Sequence, residues 1–215
     1  MNKCKGIIFD MDGTVLNTSN DIKNSVNYAL GVLGLPKRNE EEIKSFLGNG
    51  VENLINLSVG ERKDCFKECL DIYLKHYQIH CRDNTKPYDG IVKLLFALKE
   101  KGIKLGLVSN KQESAVKELA EGVFKGVFEA VIGDREGQNK KPDPTGVLNA
   151  MKVIKTDVSE TFYVGDSEVD IKTAENANIP CISVVWGFRT KEFLIQNGAK
   201  IFAETPSDIL KIIKA

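Results

Sequence analysis

Residues Gly6 to Thr14 read Gly-Ile-Ile-Phe-Asp-Met-Asp-Gly-Thr, and no other stretch restricts the fold so strongly. Three large apolar residues, Ile7, Ile8 and Phe9, run directly into two carboxylates, Asp10 and Asp12. The run is too short for a helix core and suits a strand buried on both faces, as in a parallel sheet. A buried strand that ends in acids needs compensation, because unpaired charge at the edge of a core is costly. A divalent cation supplies it. Mg²⁺ prefers hard oxygen ligands and takes one or two carboxylates together with phosphate oxygens. Gly13 permits a sharp backbone turn where the chain approaches a ligand.

The rest of the chain fits a strand-first α/β protein. Ser19 or Asn20 is placed to cap a helix whose inner face carries Ile22, Val26, Ala29, Leu30 and Leu33. Gly34 and Pro36 stop it. Short helices follow around Ile43–Leu47, from Val51, and along the stripe Phe66, Cys69, Leu70, Tyr73 and Tyr77, with Gly48–Asn49–Gly50 as a break. Nothing between Asn20 and His80 reads as a strand. From Pro87 the pattern alternates. Strands are expected at 103–108, 130–132, 161–164, 181–185 and 200–202, with helices between them, Asp143 capping the one opened by Pro144, and Pro206 opening the last. The reading is a three-layer, doubly wound parallel sheet, a Rossmann-like α/β core formed by residues 1–16 plus 87–215. An all-α cap, residues 17–86, is inserted after the first strand.

Lys plus Arg and Asp plus Glu each number 30 in 215 residues, so no overall field favours nucleic acid or an anionic membrane. No apolar run reaches membrane-spanning length, and a strand so near the start leaves no room for a signal peptide. Five cysteines with no CxxC pair suit free thiols in a reducing cytoplasm.

Ligands in open α/β sheets bind beyond the carboxyl ends of the strands. Asp10 and Asp12 follow the first strand, Ser109 and Asn110 the second, Lys141 lies after the third, and Asp166 follows the fourth, with Asp170 one helical turn on. Right-handed crossovers bring these loops to one edge. Two acids, a hydroxyl, an ammonium and two further acids are the parts for moving a phosphoryl group: a carboxylate to attack phosphorus, an acid to move the proton, and cations to balance the equatorial oxygens.

Four segments, Asp10–Thr14, Ser109–Asn110, Lys141–Pro144 and Gly165–Asp170, resemble in order the motifs of the haloacid dehalogenase-like superfamily of phosphohydrolases. Phe46–Gly50 and Trp186–Arg189 are similar to segments of its phosphoglycolate phosphatase group. The resemblance implies a Mg²⁺-dependent hydrolase for a small phosphorylated metabolite, cytoplasmic, a monomer or homodimer. Asp10 would be the nucleophile that forms an aspartyl-phosphate, and Asp12 the acid and then the base. Mg²⁺ would sit on the Asp10 carboxylate, the Asp12 carbonyl and Asp166, supported by Asp170. Ser109, the Asn110 backbone, Lys141, Gly13 and Thr14 would hold the phosphoryl oxygens, with Lys140 as the rival lysine. Gly48, Asn49 and Gly50 would help choose the substrate, phosphoglycolate first among candidates. A phosphosugar mutase of the β-phosphoglucomutase kind and a non-catalytic phosphate-sensing module are the alternatives. Asn17 stands where many relatives have Asp, which bears on the cap hinges, expected at 16–18 and 86–90.

Other residues read more plainly. His76 and His80, at i and i+4, have zinc spacing but suit the negative end of a helix. Trp186 reads as a loop anchor, Arg189 as a solvated arginine or a reader of a substrate carboxylate, and Glu40–Glu42 as a helix start facing water.

Overall fold

The computed structural model describes residues 4–214. The strand β1 (Gly6–Phe9) is buried along its whole length and lies inside a six-stranded parallel sheet. Side chains alternate across it. Ile7 and Phe9 enter one apolar cluster, and Ile8 enters the other with Tyr163. A strand clothed on both faces needs an unbroken apolar run, which is what Ile7–Phe9 provides.

The chain then leaves the sheet for a helical block: α1 (Ser19–Val32), α2 (Glu40–Phe46), α3 (Gly50–Ser58), a 3₁₀ turn at Lys63–Cys65 and α4 (Phe66–His80). The two crossings are tied together. β2 (Leu16–Asn17) and β3 (Lys86–Pro87) pair antiparallel, Leu16 opposite Pro87 and Asn17 opposite Lys86. Both lie within the segments expected as cap hinges, and neither was expected as a strand. Beyond them come α5 (Ile91–Glu100), β4 (Lys104–Gln112), α6 (Glu113–Phe124), β5 (Ala130–Asp134), α7 (Thr145–Ile154) and β6 (Thr161–Gly165). The chain ends with α8 (Glu168–Asn176), β7 (Cys181–Val184), α9 (Lys191–Gln196), β8 (Ile201–Ala203) and α10 (Pro206–Ile212).

The strand order is β5-β4-β1-β6-β7-β8. The sheet grows outward from β1 through β4 to β5, then returns to the other side of β1 at β6. That reversal opens a crevice at the carboxyl ends of β1, β4 and β6. Residues of α5, α6 and α10 cover one face with Ile7 and Phe9, and residues of α7 and α8 cover the other with Ile8.

Several boundaries differ from the expectation. The residue preceding α1 is Thr18, not Ser19 or Asn20, and its hydroxyl does not cap the helix but donates to Asp12 Oδ1 at 2.7 Å. β4 runs past Val108 to Gln112 with an irregular register between those residues. Pro144 occupies the position before α7, while Asp143 one residue earlier accepts from the Thr145 N–H at 2.9 Å.

Candidate active site

Asp10 emerges from β1 into the crevice and is buried. Lys141 Nζ lies 2.9 Å from Asp10 Oδ1, 2.7 Å from Asp170 Oδ1 and 3.0 Å from the Tyr163 hydroxyl. The rival lysine points away: Lys140 pairs with Asp134 at 2.9 Å and with Glu52 of α3 at 3.3 Å. Of the two adjacent lysines, Lys141 is the one that faces the acids.

Asp166 is fixed by two donors, the Thr14 hydroxyl at 3.1 Å and the Phe188 N–H at 2.7 Å. Asp170 is more heavily bound. Its Oδ2 accepts from the Ser167 hydroxyl at 2.7 Å and from the Ser167 and Asp166 N–H groups, and its Oδ1 takes Lys141 and Tyr163. The Ser167–Asp170 exchange is also the capping box of α8.

Burial, reinforced by the nearby Asp170 charge, pushes the Asp10 carboxyl well above the usual carboxylate range, although Lys141 opposes it. The same two causes raise Asp166 to about 7. Lys141 shows the converse. Burial works against its charge, but Asp10 and Asp170 outweigh that and hold it well above the ordinary lysine value.

Oxygens of Asp10, Asp166 and Asp170 lie within 4.8 Å of one another, and Asp10 Oδ1, although opposite Lys141, has no aligned hydrogen-bond donor. Excess buried negative charge with an unsatisfied hard oxygen fits a small divalent cation. Asp10 and Asp166 keep lone pairs for direct ligation. Asp170, with both oxygens occupied by protein donors, suits support from behind. The Asp12 carboxylate is outside this cluster.

Asp12 points to the other side. Thr18 donates to its Oδ1, and Lys111 Nζ sits 2.9 Å from both oxygens. The Lys111 side chain is only 8 % exposed and lies over the ring of Tyr77 from α4, 4.8 Å from its centroid. Burial opposes the Lys111 charge, but Asp12 and Tyr73 more than offset it, and its pKa stands above the ordinary lysine value. Sequence reasoning passed over Lys111. The signal was its place directly after the strand-end pair Ser109–Asn110.

Ser109 and Asn110 are both buried at the crevice. The Asn110 side chain ties three loops: its Oδ1 accepts from the Lys141 N–H at 2.7 Å, and its Nδ2 donates to the carbonyls of Lys141 and Gly48, each at 2.9 Å. Gly48 and Gly50 line the cavity under the helical block, whereas Asn49 is exposed beside it. Gly50, at φ +84°, could not carry a side chain without strain and passes close to the Asn110 carbonyl.

Gly13 and Thr14, expected among the phosphate-holding groups, face inward instead. The Gly13 N–H donates to the Leu16 carbonyl and the Thr14 N–H to that of Met11, so the turn consumes both donors. Gly13 has φ +83°, and a methyl there would collide with the Asp166 carboxylate.

Arg189 is not the solvated arginine of one expectation. It pairs with Glu168 at 3.0 Å and donates to the carbonyls of Lys44 and Leu47 at 2.6 and 2.8 Å, gripping the end of α2. Trp186 is a loop anchor, its Nε1 donating to the Thr14 carbonyl at 3.0 Å. His76 bonds the Ser25 hydroxyl and stacks on Tyr28, His80 bonds Asp83, and neither joins a metal-ligand cluster among the described residues. Among Glu40–Glu42, Glu42 is occupied by the Asn39 capping box and Arg38.

Acids just beyond the ends of β1 and β6, with a buried lysine beside them at the sheet's reversal point, mark an α/β protein with a candidate active site in this crevice. The chain belongs to the haloacid dehalogenase-like hydrolases, whose family model matches residues 7–184. It is 31 % identical over 209 residues to the phosphoglycolate phosphatase of Aquifex aeolicus, covering 96 % of this chain and 95 % of that one. It is 30 % identical to the phosphoglycolate phosphatase of Thiobacillus denitrificans, covering 86 % and 84 %. A solved structure from Lactobacillus delbrueckii subsp. bulgaricus, assigned to the phosphoglycolate phosphatases, superposes with a TM-score of 0.94 at 34 % identity, covering 98 % of each chain. No helix among the described residues is long and apolar enough to cross a membrane.

Proposed function

We propose that the protein is a Mg²⁺-dependent phosphatase that hydrolyses a small phosphate monoester through a phosphorylated Asp10, with phosphoglycolate the leading candidate substrate. The observation that carries this reading is the division of labour between the two acids of β1. Asp10 faces Lys141 and the acidic cluster, while Asp12, two residues on, is held apart by Thr18 and Lys111. One carboxylate is placed to attack and the other to move protons.

Asp10 Oδ attacks phosphorus, the bond to the leaving oxygen breaks, and Asp12 delivers a proton to that oxygen. Asp12 then takes a proton from water, whose oxygen attacks the same phosphorus, releasing inorganic phosphate and restoring Asp10. The Ser109 hydroxyl, the Asn110 N–H and Lys141 hold the phosphoryl oxygens through both steps. Mg²⁺ on Asp10, Asp166 and the Asp12 carbonyl, with Asp170 behind them, would offset charge on the phosphoryl group when bound. Residues 17–86 act as the cap that covers the site. The cavity beneath it is lined by Asp10, Asp12, Ser109, Lys111 and Lys141 from the sheet side and by Leu47, Leu54, Tyr73 and Tyr77 from the helical side. Free cysteines throughout suit a reducing cytoplasm.

The test is phosphate release with Mg²⁺ across phosphoglycolate, sugar phosphates, nucleotides and pyrophosphate. Preference for phosphoglycolate is expected, with release abolished by EDTA and by Asp10→Asn. Undiminished release from the Asp10→Asn protein would overturn the mechanism.

A further inference from the structure

The cavity has three cations in its wall, and two of them are committed. Lys141 is held by Asp10 and Asp170, and the Arg189 guanidinium by Glu168 and the α2 carbonyls. The third, Lys111, has Asp12 as its only ion-pair partner among the described residues. To give a proton to a leaving oxygen Asp12 must carry it on Oδ2, where the Lys111 ammonium now sits at 2.9 Å. Oδ1 accepts from Thr18 and Lys111, and Oδ2 accepts from Lys111. For Asp12 to act, Lys111 must release Oδ2, and a buried ammonium set free needs another anion.

Beside it is a second unmet demand. Tyr77 lines the same cavity, its ring lies under Lys111, and its buried hydroxyl has no hydrogen-bond partner. A buried orphan hydroxyl points to a ligand atom.

We propose that Lys111 and the Tyr77 hydroxyl form the subsite for an anionic group, a carboxylate, on the leaving-group side of the substrate. Lys111 passes from Asp12 Oδ2 to this carboxylate, and Tyr77 donates to the same group. Thr18 keeps Asp12 Oδ1, and Oδ2 is left to face the bridging oxygen. An ester with a neutral leaving group leaves Lys111 on Asp12, so it is bound less tightly and also turned over more slowly. Selection for a carboxylate is thereby linked to release of the proton-moving group. This rests on the phosphatase reading and adds to it the substrate class and the residues that select it.

The test uses two phosphonates that no phosphatase step can cleave, 3-phosphonopropionate and propylphosphonate, titrated calorimetrically into the Mg²⁺-loaded protein. The unaltered protein should bind the carboxylate-bearing compound about tenfold or more tightly than the neutral one. Lys111→Met should bring that ratio close to one, and Tyr77→Phe should lower it in part. Asp12→Asn removes the competing charge without touching Lys111, and it should strengthen binding of 3-phosphonopropionate more than of propylphosphonate. It also keeps the test open if Lys111→Met fails to fold. In turnover, Lys111→Met should reduce the preference for phosphoglycolate over 2-hydroxyethyl phosphate. An equal loss on both esters would mean that Lys111 only positions Asp12, and the proposal would fall. A preference for 3-phosphonopropionate that survives Lys111→Met, or equal binding of both phosphonates by the unaltered protein, would overturn it while leaving the phosphatase reading intact. A protein that binds neither phosphonate and releases phosphate from no ester would overturn both.

Discussion

Lys140 and Lys141 are neighbours in the chain and opposites in energetics. Lys140 is partly exposed and pairs with the largely solvated Glu52 and the more sheltered Asp134, so Lys140→Ala should cost about 1 kcal/mol. Lys141 is buried between Asp10 and Asp170, and its removal leaves two acids without a counter-charge. Lys141→Ala should destabilise the metal-free protein by about 3–5 kcal/mol in urea unfolding. Similar midpoints for the two variants would contradict this account. Asp166 gives a pH dependence. Burial and then Asp170 raise its pKa to about 7, so the folded protein holds a proton there that the unfolded chain has lost. Stability therefore falls as pH rises from the ordinary carboxylate range through about 7. The metal-free protein should melt at lower temperature near pH 8 than near pH 5.5, Asp166→Asn should reduce that difference while Asp10 keeps its own share, and Mg²⁺ should stabilise more at the higher pH. A metal-free melting temperature indifferent to both pH and Asp166→Asn would refute the assignment.

At the scale of elements, the unexpected features are side chains that fasten one segment to another. Asp21 of α1 is buried and accepts from the backbone and side chains of Asn84 and Thr85, at 2.8–3.0 Å. It ties the start of the helical block to its exit. Asp21→Ala orphans two backbone N–H groups and should cost about 2 kcal/mol or more, read by chemical unfolding. Arg189 clasps α2 in the same way, and Arg189→Met should speed amide exchange at the α2 C-terminus while the sheet stays protected. These contacts explain what the sequence hid. The apolar run before Asp10, the glycines and the strand-end acids are local patterns, so the sheet and most of the crevice were legible. Lys111 with Asp12, Arg189 with Lys44 and Asp21 with Thr85 join residues far apart in the chain, and no period or spacing records such partners. The start of α1 was misplaced for a different reason: Thr18 precedes the helix, and its hydroxyl is drawn to the Asp12 carboxylate six residues back instead of capping.

At the scale of the molecule, the polar links between the helical block and the crevice include Thr18 to Asp12, Asn110 to Gly48, Lys140 to Glu52, and Arg189 to the end of α2. Such a contact can open without disturbing the sheet. Hydrogen exchange at 16–18 and 86–90 should therefore slow when a phosphate analogue and Mg²⁺ bind. Exchange unaffected by either would argue against a moving cap.

The ribbon of β2 and β3 has a consequence for how such chains diversify. Leu16 and Pro87 face each other across a single antiparallel pair, so the polypeptide departs and re-enters at one point. For the sheet, the excursion between them has almost no span to bridge. A block of different length or shape grafted between those two positions would meet the same two anchor residues and leave the strand order untouched. The groups that the sheet carries to the crevice, Asp10, Lys111, Lys141 and Asp166, would then stay where they are.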